Sequence, residues 1–505
     1  MEEGSGTSLT NIGSASGLTA TLTGTPIWSA AGGKFGAGLT LNGSSQYGTI
    51  AAAAEINGLP LADFSIGFWI KPTDTNVVRQ LAGKTHGGST GWICWSSQGA
   101  GDPMFVIHHD TTSAIARAAP YSLTAGQWAR VGFTWTVATK TARIHINGRE
   151  APLVQSVAGS GTYASDTSYG LVLGTSSAGY ATSSFYGTIN DAHIYTSALD
   201  ADGSAQAAGL VPSTAYPVVV VRKSSTSFVV RTLLASGGAT GEYVEHQFST
   251  TTGNVWRISG LSVARWSTAA SFVLSEISSV WEWAWKMGAT ASASGVYDFV
   301  GFDHGSTTRT SWTFTVDGTD ITTIATGDHR FGSSLVSTQG MSAVLPEDGV
   351  TTAGSATTTH TWASAGLTIA HTHTVPSGVS VITGYAAMLP ISGLVSGLQY
   401  GTIAGKTERG PFVGDATVYD STNGTGVAAT FRGSGPYTAT VTLPDNGPDT
   451  SGDWANTQAE SGQALLIDSA GNAKVYFTYI SGSYAQRKQG PFSSSHRAIY
   501  TVAKP

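Results

Sequence analysis

The run Phe64-Ser65-Ile66-Gly67-Phe68-Trp69-Ile70-Lys71-Pro72 alternates strictly until it meets a proline. Phe64, Ile66, Phe68 and Ile70 fall on one face, and Ser65, Gly67, Trp69 and Lys71 on the other, which is the period of a strand. A strand with four large apolar side chains on one face must lay that face on a second layer. A β-sandwich is therefore predicted, with this strand buried fully on one side and partly on the other. The same period returns at 129–135 and 141–146, and the following Asn147-Gly148 suits a tight hairpin. Several strands thus share one core with the Phe64 strand at its centre.

A chain of 505 residues is too long for a single core, so two or three domains are expected. Sixty-four glycines, with abundant Ser, Thr and Ala, point to many short strands joined by tight turns and to little helix. Charged residues make up 11% of the chain while 41% is hydrophobic, which excludes a disordered polymer. The net charge of −6, with Lys and Arg scattered, excludes a nucleic-acid surface. Cys94 is the sole cysteine, so no intrachain disulfide forms, and its neighbours Trp92, Ile93 and Trp95 place it in a core. No apolar run approaches the ~20 residues of a membrane helix. The start of the chain has neither a basic nor an apolar signal region, so a role outside the cell implies another route, such as lysis.

Residues 1–211 form a first domain in this reading, 216–400 a second, dense in strands, and 401–505 either a third small sandwich or the completion of the second. The motifs EEGSGT, GKFGAGLTLNGSSQY (33–47), FSIGFWIKP, GQWARVGFTW (126–135), ARIHINGRE, GLVLGT (170–175) and GTINDAHIYTSALDADG appear in a fixed order. That order resembles laminin-G-like, concanavalin A-like jelly rolls. The fold class expected is all-β: an N-terminal jelly-roll sandwich followed by one or two further antiparallel β-sandwich domains. The resemblance implies that a strand precedes EEGSGT, so an edge beside residues 1–10 is expected to be covered by another chain or by the C-terminal region. It also implies a structural calcium ion near Asp191, Glu2 and Glu3, whose carboxylates suit that hard cation. The alternative is that these carboxylates are simply solvated. The segments VGFDHG (300–305), TFTVDGTDI (313–321) and GYAAMLPI (384–391) resemble a β-rich domain of phage tail and tail-tip proteins. Where that pattern carries an acidic residue after its His-Gly pair, this chain has Thr307.

Three groups of residues carry chemistry. His371 and His373 stand two apart on a strand and share a face, with His360 on the expected neighbouring strand, so three imidazoles are available to a metal. The alternative is that they are satisfied within a Thr-rich strand pair. Asp303, His304 and Arg309, with Tyr297, Asp328, His329 and Arg330, supply the base and cation that a polysaccharide lyase uses on a uronate; the alternative is a turn stabilised by Asp303 and His304. The chain has no Gly-x-Ser-x-Gly elbow, phosphate-binding Gly-Lys-Ser/Thr loop or dinucleotide fingerprint. Finally, Trp92, Trp95, Tyr163, Tyr169 and Tyr180 lie in or near Gly/Ser-rich stretches, where a ring can stack on a sugar unless it is packed in the core.

Together these features give the expectation of a virion structural protein of the tail-fibre or tail-tip type, assembled in the host cytoplasm and acting outside after lysis as an adhesin for a host-surface glycan. Its expected partners are that glycan, other virion proteins and further copies of itself, without nucleic acid or membrane insertion. A polysaccharide lyase or hydrolase, and a purely architectural spacer, are the competing readings.

Overall fold

The strand Phe64–Pro72 pairs with Ala129–Thr136 on one side and with Tyr186–Tyr195 on the other, both antiparallel. It sits inside a seven-stranded sheet that faces a nine-stranded one, and Phe64, Ile66, Phe68 and Ile70 point into the core between them. Its second face is buried as well, more completely than the alternation suggests. Phe35 meets Trp69 edge-on at 5.7 Å with Lys34 above the same ring, and the Ser65 hydroxyl donates to Ser197 O and accepts from Leu199 N, both at 2.9 Å. Arg130 lies over Gly67, where an added Cβ would come within 2.8 Å of the guanidinium, so only glycine permits the crossing. After the last strand comes the helix Ala201–Ala207. Asp200 is its N-cap and accepts from Gly203 N at 2.8 Å.

The computed structural model describes residues 3–15, 17–86, 89–177, 183–238, 241–266, 271–278, 283–301, 304, 306–364, 366–391, 400–403, 406–409, 416–420, 427–432, 436–443, 462–467, 473–480 and 484–504. The chain divides into two compact units, one built on Met1–Leu210 and the other on Val211–Trp266 and Ser271–Pro505. Among the described residues, the architecture is all-β with antiparallel sheets, a jelly-roll sandwich followed by further sandwich layers. In the first unit Ser8–Thr10 is an edge strand, paired with Thr19–Thr23.

In the second unit a ten-stranded sheet serves two partners with one face. Trp362, Leu367, Ile369 and Tyr500 pack with Phe228, Phe248 and Val263 of a six-stranded sheet. Ala356 and Val375, on the same side of the same strands, pack with Trp285, Met287 and Val381 of a seven-stranded sheet. Trp283 and Trp285 both enter this second core, while Trp281 and Glu282, expected to continue that strand, lie outside the described residues. Strands from the last hundred residues join these sheets: Phe492–Ala503 pairs with Gly366–Val375 and with Thr438–Leu443.

Truncating Phe68, fully buried between the two sheets of the first unit, is predicted to lower that unit's stability by about 3–5 kcal/mol, the usual cost of a lost buried aromatic. Denaturant unfolding of Phe68→Ala, followed by exchange of amides in Phe64–Pro72 and Ala129–Thr136, checks this. An unchanged midpoint would mean that the strand is not central to the core.

Candidate functional site

In the nine-stranded sheet the strands Val78–Lys84, Trp92–Gln98, Met104–Ile107, Ala114–Ala118 and Leu153–Val157 lie side by side. Trp92, Cys94, Phe105, Ile107, Ala114, Ala116 and Ala118 belong to the core. Alternation therefore sends Ile93, Trp95, Met104, Val106, Ile115 and Arg117 to the opposite face. The register arranges them in two rows. Gln80, Trp95, Met104, Arg117 and Gln155 are successive cross-strand partners, and Ile93, Val106, Ile115 and Val157 form the neighbouring row. Ile93 and Val106 are buried although they point away from the core, so the apolar row is a recessed floor, and Trp95, Met104 and Arg117 stand half-exposed beside it.

Arg117 is held in one orientation. Its Nε and Nη2 donate to Asp102 Oδ2 at 2.8 and 2.5 Å, and Asp102 Oδ1 accepts from Gln98 N and Ala100 N at 2.8 and 3.0 Å. Burial raises the cost of the Asp102 charge, but these bonds outweigh it and hold the carboxyl below its ordinary range. A saturated, buried carboxylate thus fixes a guanidinium whose remaining N–H groups are available at the sheet surface. Tyr121 follows on the adjoining loop. Its ring is 86% exposed, its φ is +63°, and its N–H donates to Ala100 O at 2.6 Å, so it stands beside the loop that carries Asp102. A large exposed ring on a non-glycine residue in the left-handed region is uncommon and marks a position worth a function. On the far side of the row, Gln80 Oε1 accepts from Ser176 N at 3.2 Å and Ser176 Oγ at 2.7 Å, which ties the loop after Leu171–Leu173 over the sheet.

The sequence-derived ring candidates separate. Trp92 is fully buried against Phe64 and Phe105, so it is a core residue and leaves the set. Trp95, three residues later, faces the opposite way. Tyr163 is half-buried with its hydroxyl inside; burial, and the charge of Asp166 beside it, push its phenol up. Tyr169 stacks on exposed His86 at 5.1 Å and 13°. Its backbone is anchored by Lys84, whose fully buried Nζ donates to the carbonyl oxygens of Tyr169 at 2.5 Å and Asp166 at 2.8 Å, with Asp166 Oδ2 at 3.8 Å. Tyr180 lies outside the described residues.

Of the carboxylates considered for calcium, Asp191 takes part in an ion-paired arrangement. Asp191, at φ +53° in a bulge of the Tyr186–Tyr195 strand, bonds His193 Nε2 through Oδ1 and has Arg130 Nη1 at 3.7 Å from Oδ2. Burial opposes its charge, but His193 and Arg130 outweigh it and hold the carboxyl low. Glu3 accepts from Thr10 N at 2.6 Å, and Glu2 lies outside the described residues. Among the described residues no group of three or more His, Cys, Asp or Glu is placed to hold a metal. His360, His371 and His373 do lie on adjacent strands and share a face, but they are core side chains packed on Trp283, Trp285 and Trp362.

The catalytic set is dispersed. Asp303 lies outside the described residues, and His304 is exposed and stacks on Phe299 at 5.3 Å. Arg309 lies over the Trp312 ring at 5.3 Å in the ten-stranded sheet. Tyr297 is buried, its hydroxyl bonded to Ala289 O and Ser380 Oγ. His329 and Arg330 pair with the six-stranded sheet. Arg309 and the pair His329 and Arg330 thus lie on strands of different sheets, while Tyr297 and His304 lie in connections outside the strands.

The family described as the concanavalin A-like lectin/glucanases superfamily matches residues 42–203, the part of the chain that carries the nine-stranded face. No curated protein matches the chain. Among solved structures, domain 4 of AbnA, a GH43 extracellular arabinanase from Geobacillus stearothermophilus, in complex with arabinotriose, is 19% identical over 37% of this chain and 87% of that one, with a TM-score of 0.26. The CBM40 of the Ruminococcus gnavus IT-sialidase is 17% identical over 34% and 95%, with a TM-score of 0.28. The binding domain of Paraclostridial Mosquitocidal Protein 1 is 12% identical over 73% and 86%, with a TM-score of 0.32. Likenesses of this size carry no argument about this chain.

Replacing Lys84 with Met keeps the length of the side chain and strips Asp166 of its cation. We expect a loss of about 3–5 kcal/mol, because a buried carboxylate is left uncompensated. Urea unfolding of Lys84→Met measures it, and Lys84→Met/Asp166→Asn should recover part of the loss.

Proposed function

We propose that the protein is a glycan-binding adhesin of a phage-like particle, of the tail-fibre or tail-tip type, and that the outer face of the nine-stranded sheet holds the sugar. The observation that carries this reading is the row Gln80, Trp95, Met104, Arg117 and Gln155. An indole lies beside a recessed apolar floor and a guanidinium locked by Asp102, with amide side chains at both ends. A sugar ring offers an apolar face to stack on an aromatic and a rim of hydroxyls to accept from fixed N–H donors. Prior fixing of Arg117 by a buried carboxylate lowers the entropy cost of those bonds. Tyr121 extends the aromatic surface along the loop, and the stacked His86 and Tyr169 pair offers a second contact at the rim of the jelly roll. The virion setting rests on the tail-protein resemblance of 300–321 and 384–391, with other virion proteins and further copies of the chain as its partners.

A panel of host-surface polysaccharides and a glycan array test the reading. Trp95→Ala and Arg117→Ala are each expected to weaken binding by tenfold or more, the effect of losing a contact worth about 1.4 kcal/mol or more, with the melting temperature nearly unchanged in Trp95→Ala. Trp92→Ala is expected to behave in the opposite way, losing about 3–5 kcal/mol of stability while the folded fraction binds normally. Full binding by a folded Trp95→Ala/Arg117→Ala protein would overturn the assignment of this face.

A further inference from the structure

The face of the ten-stranded sheet that serves two cores changes character where its partner changes. Between the apolar patch that packs on the six-stranded sheet and the one that packs on the seven-stranded sheet runs a buried polar row. Gln339, Thr358, His371 and His496 are successive cross-strand partners across four adjacent strands. His373 and His360 flank the row on the same face, so four imidazoles come together inside the unit. His371 and His373 are 5.8 Å apart between ring centroids, and His373 and His496 6.3 Å.

What surrounds His371 and His373 favours the uncharged ring. His373 stacks on Trp285 at 4.2 Å and meets Trp283 edge-on at 4.5 Å. His371 Nδ1 pairs with Thr358 Oγ1 at 2.9 Å, and His496 Nε2 with Ser494 Oγ at 2.6 Å. His360 packs between Phe248 and Trp362, and Trp362 is also met by His246. Gln339, at the end of the row, bonds the backbone N and O of Trp256. Of the ionisable groups on these packed strands, Lys286 alternates with Trp285 and Met287 and so points away, and Glu245 pairs with Arg231 on the side opposite His246. The charges that act on His371 are those of His373, His360 and His496, all of one sign.

We propose that this histidine belt is an acid-sensitive lock: it closes the junction between the two cores while its imidazoles are neutral, and mild acidification opens the junction by loosening the Trp283 and Trp285 packing on the ten-stranded sheet. Burial first, and then the neighbouring imidazoles, hold His371 and His373 well below the ordinary histidine range, and burial brings His246 down to about 4. An unfolded or opened imidazole titrates near 6.5. The contribution of each depressed group to closure is therefore fully present above about pH 6.5 and is lost as the pH falls from there towards its folded value. Each proton taken up on opening multiplies the opening constant by about ten per pH unit in that window, so His371 and His373 together give up to about a hundredfold. Like-charge proximity makes partial protonation of the closed belt costly, which favours opening as a unit.

The test is hydrogen exchange of the full chain between pH 7.5 and 4.5, corrected for intrinsic exchange and read on Thr352–Ala363, Gly366–Val375 and Phe492–Ala503. Opening is expected to rise by more than tenfold per pH unit below pH 6.5. His371→Gln should flatten that slope by about tenfold per pH unit and leave exchange in Phe64–Pro72 as in the parent. Opening independent of pH in the wild-type chain would overturn the proposal, whether or not the variant folds. An acid slope unchanged in folded His371→Gln and His373→Gln would overturn it equally, by assigning the effect to other groups. The outcome does not depend on glycan binding, which uses the other unit.

Discussion

The constraint on which the rest depends is the two-residue period of the strands in a sandwich. Once Trp92, Cys94, Phe105, Ile107 and Ala116 are committed to the core between the sheets, Trp95, Met104 and Arg117 have only the outer face left to them. The candidate site and the core therefore draw on the same strands through opposite faces. A slip of one residue in the pairing of Trp92–Gln98 with Met104–Ile107 would turn the indole inward and the core rings outward. The antiparallel register that stabilises the jelly roll is thus also what assembles the candidate site.

Ionic groups inside the first unit fasten connections. Lys84 ties the 166–169 segment to the sheet through two carbonyl oxygens, and Arg130 crosses Gly67 to reach Asp191 O at 2.7 Å in the bulge of the last strand. Asp102 does the same for Arg117 and the 98–102 turn. Each charge taken out of water is matched by a counter-charge and at least one hydrogen bond, the condition under which such burial is tolerated. The second unit holds a buried Arg231 and Glu245 pair of the same kind, and in addition a belt of imidazoles packed on tryptophan rings.

How far the sequence could be read depended on whether a local pattern decided the question. The Phe64–Pro72 alternation and the ordered motifs led to the jelly roll, because a core strand writes its period into consecutive residues. The Gly/Ser-rich stretches around Trp92 and Trp95 suggest a connection, whereas the two residues occupy one strand, and their spacing of three puts them on opposite faces. The alternation in Ala114-Ile115-Ala116-Arg117-Ala118, small residues inward and Ile or Arg outward, is also a signal for the outer face. Asp102 and Tyr121 carried no such mark, because their roles come from turns that meet only in the folded chain. His371 and His373 were visible as a same-face pair. His496 is more than a hundred residues away in sequence and is joined to them only by the pairing of Phe492–Ala503 with Gly366–Val375. Composition does not show which rings pack on such histidines; Trp283 and Trp285, which pack on His373, come from a segment distant in sequence.

The most direct test of the central claim, that the outer face of the nine-stranded sheet is where the protein meets its sugar, is hydroxyl-radical footprinting with and without a glycan that binds. The account predicts reduced oxidation of Trp95, Met104 and Tyr121 in the complex, with exposed rings elsewhere, such as Tyr216, reacting as before. Protection confined to Tyr169 and His86, or to residues of the second unit, with Trp95 and Met104 as reactive as in the free protein, would contradict it.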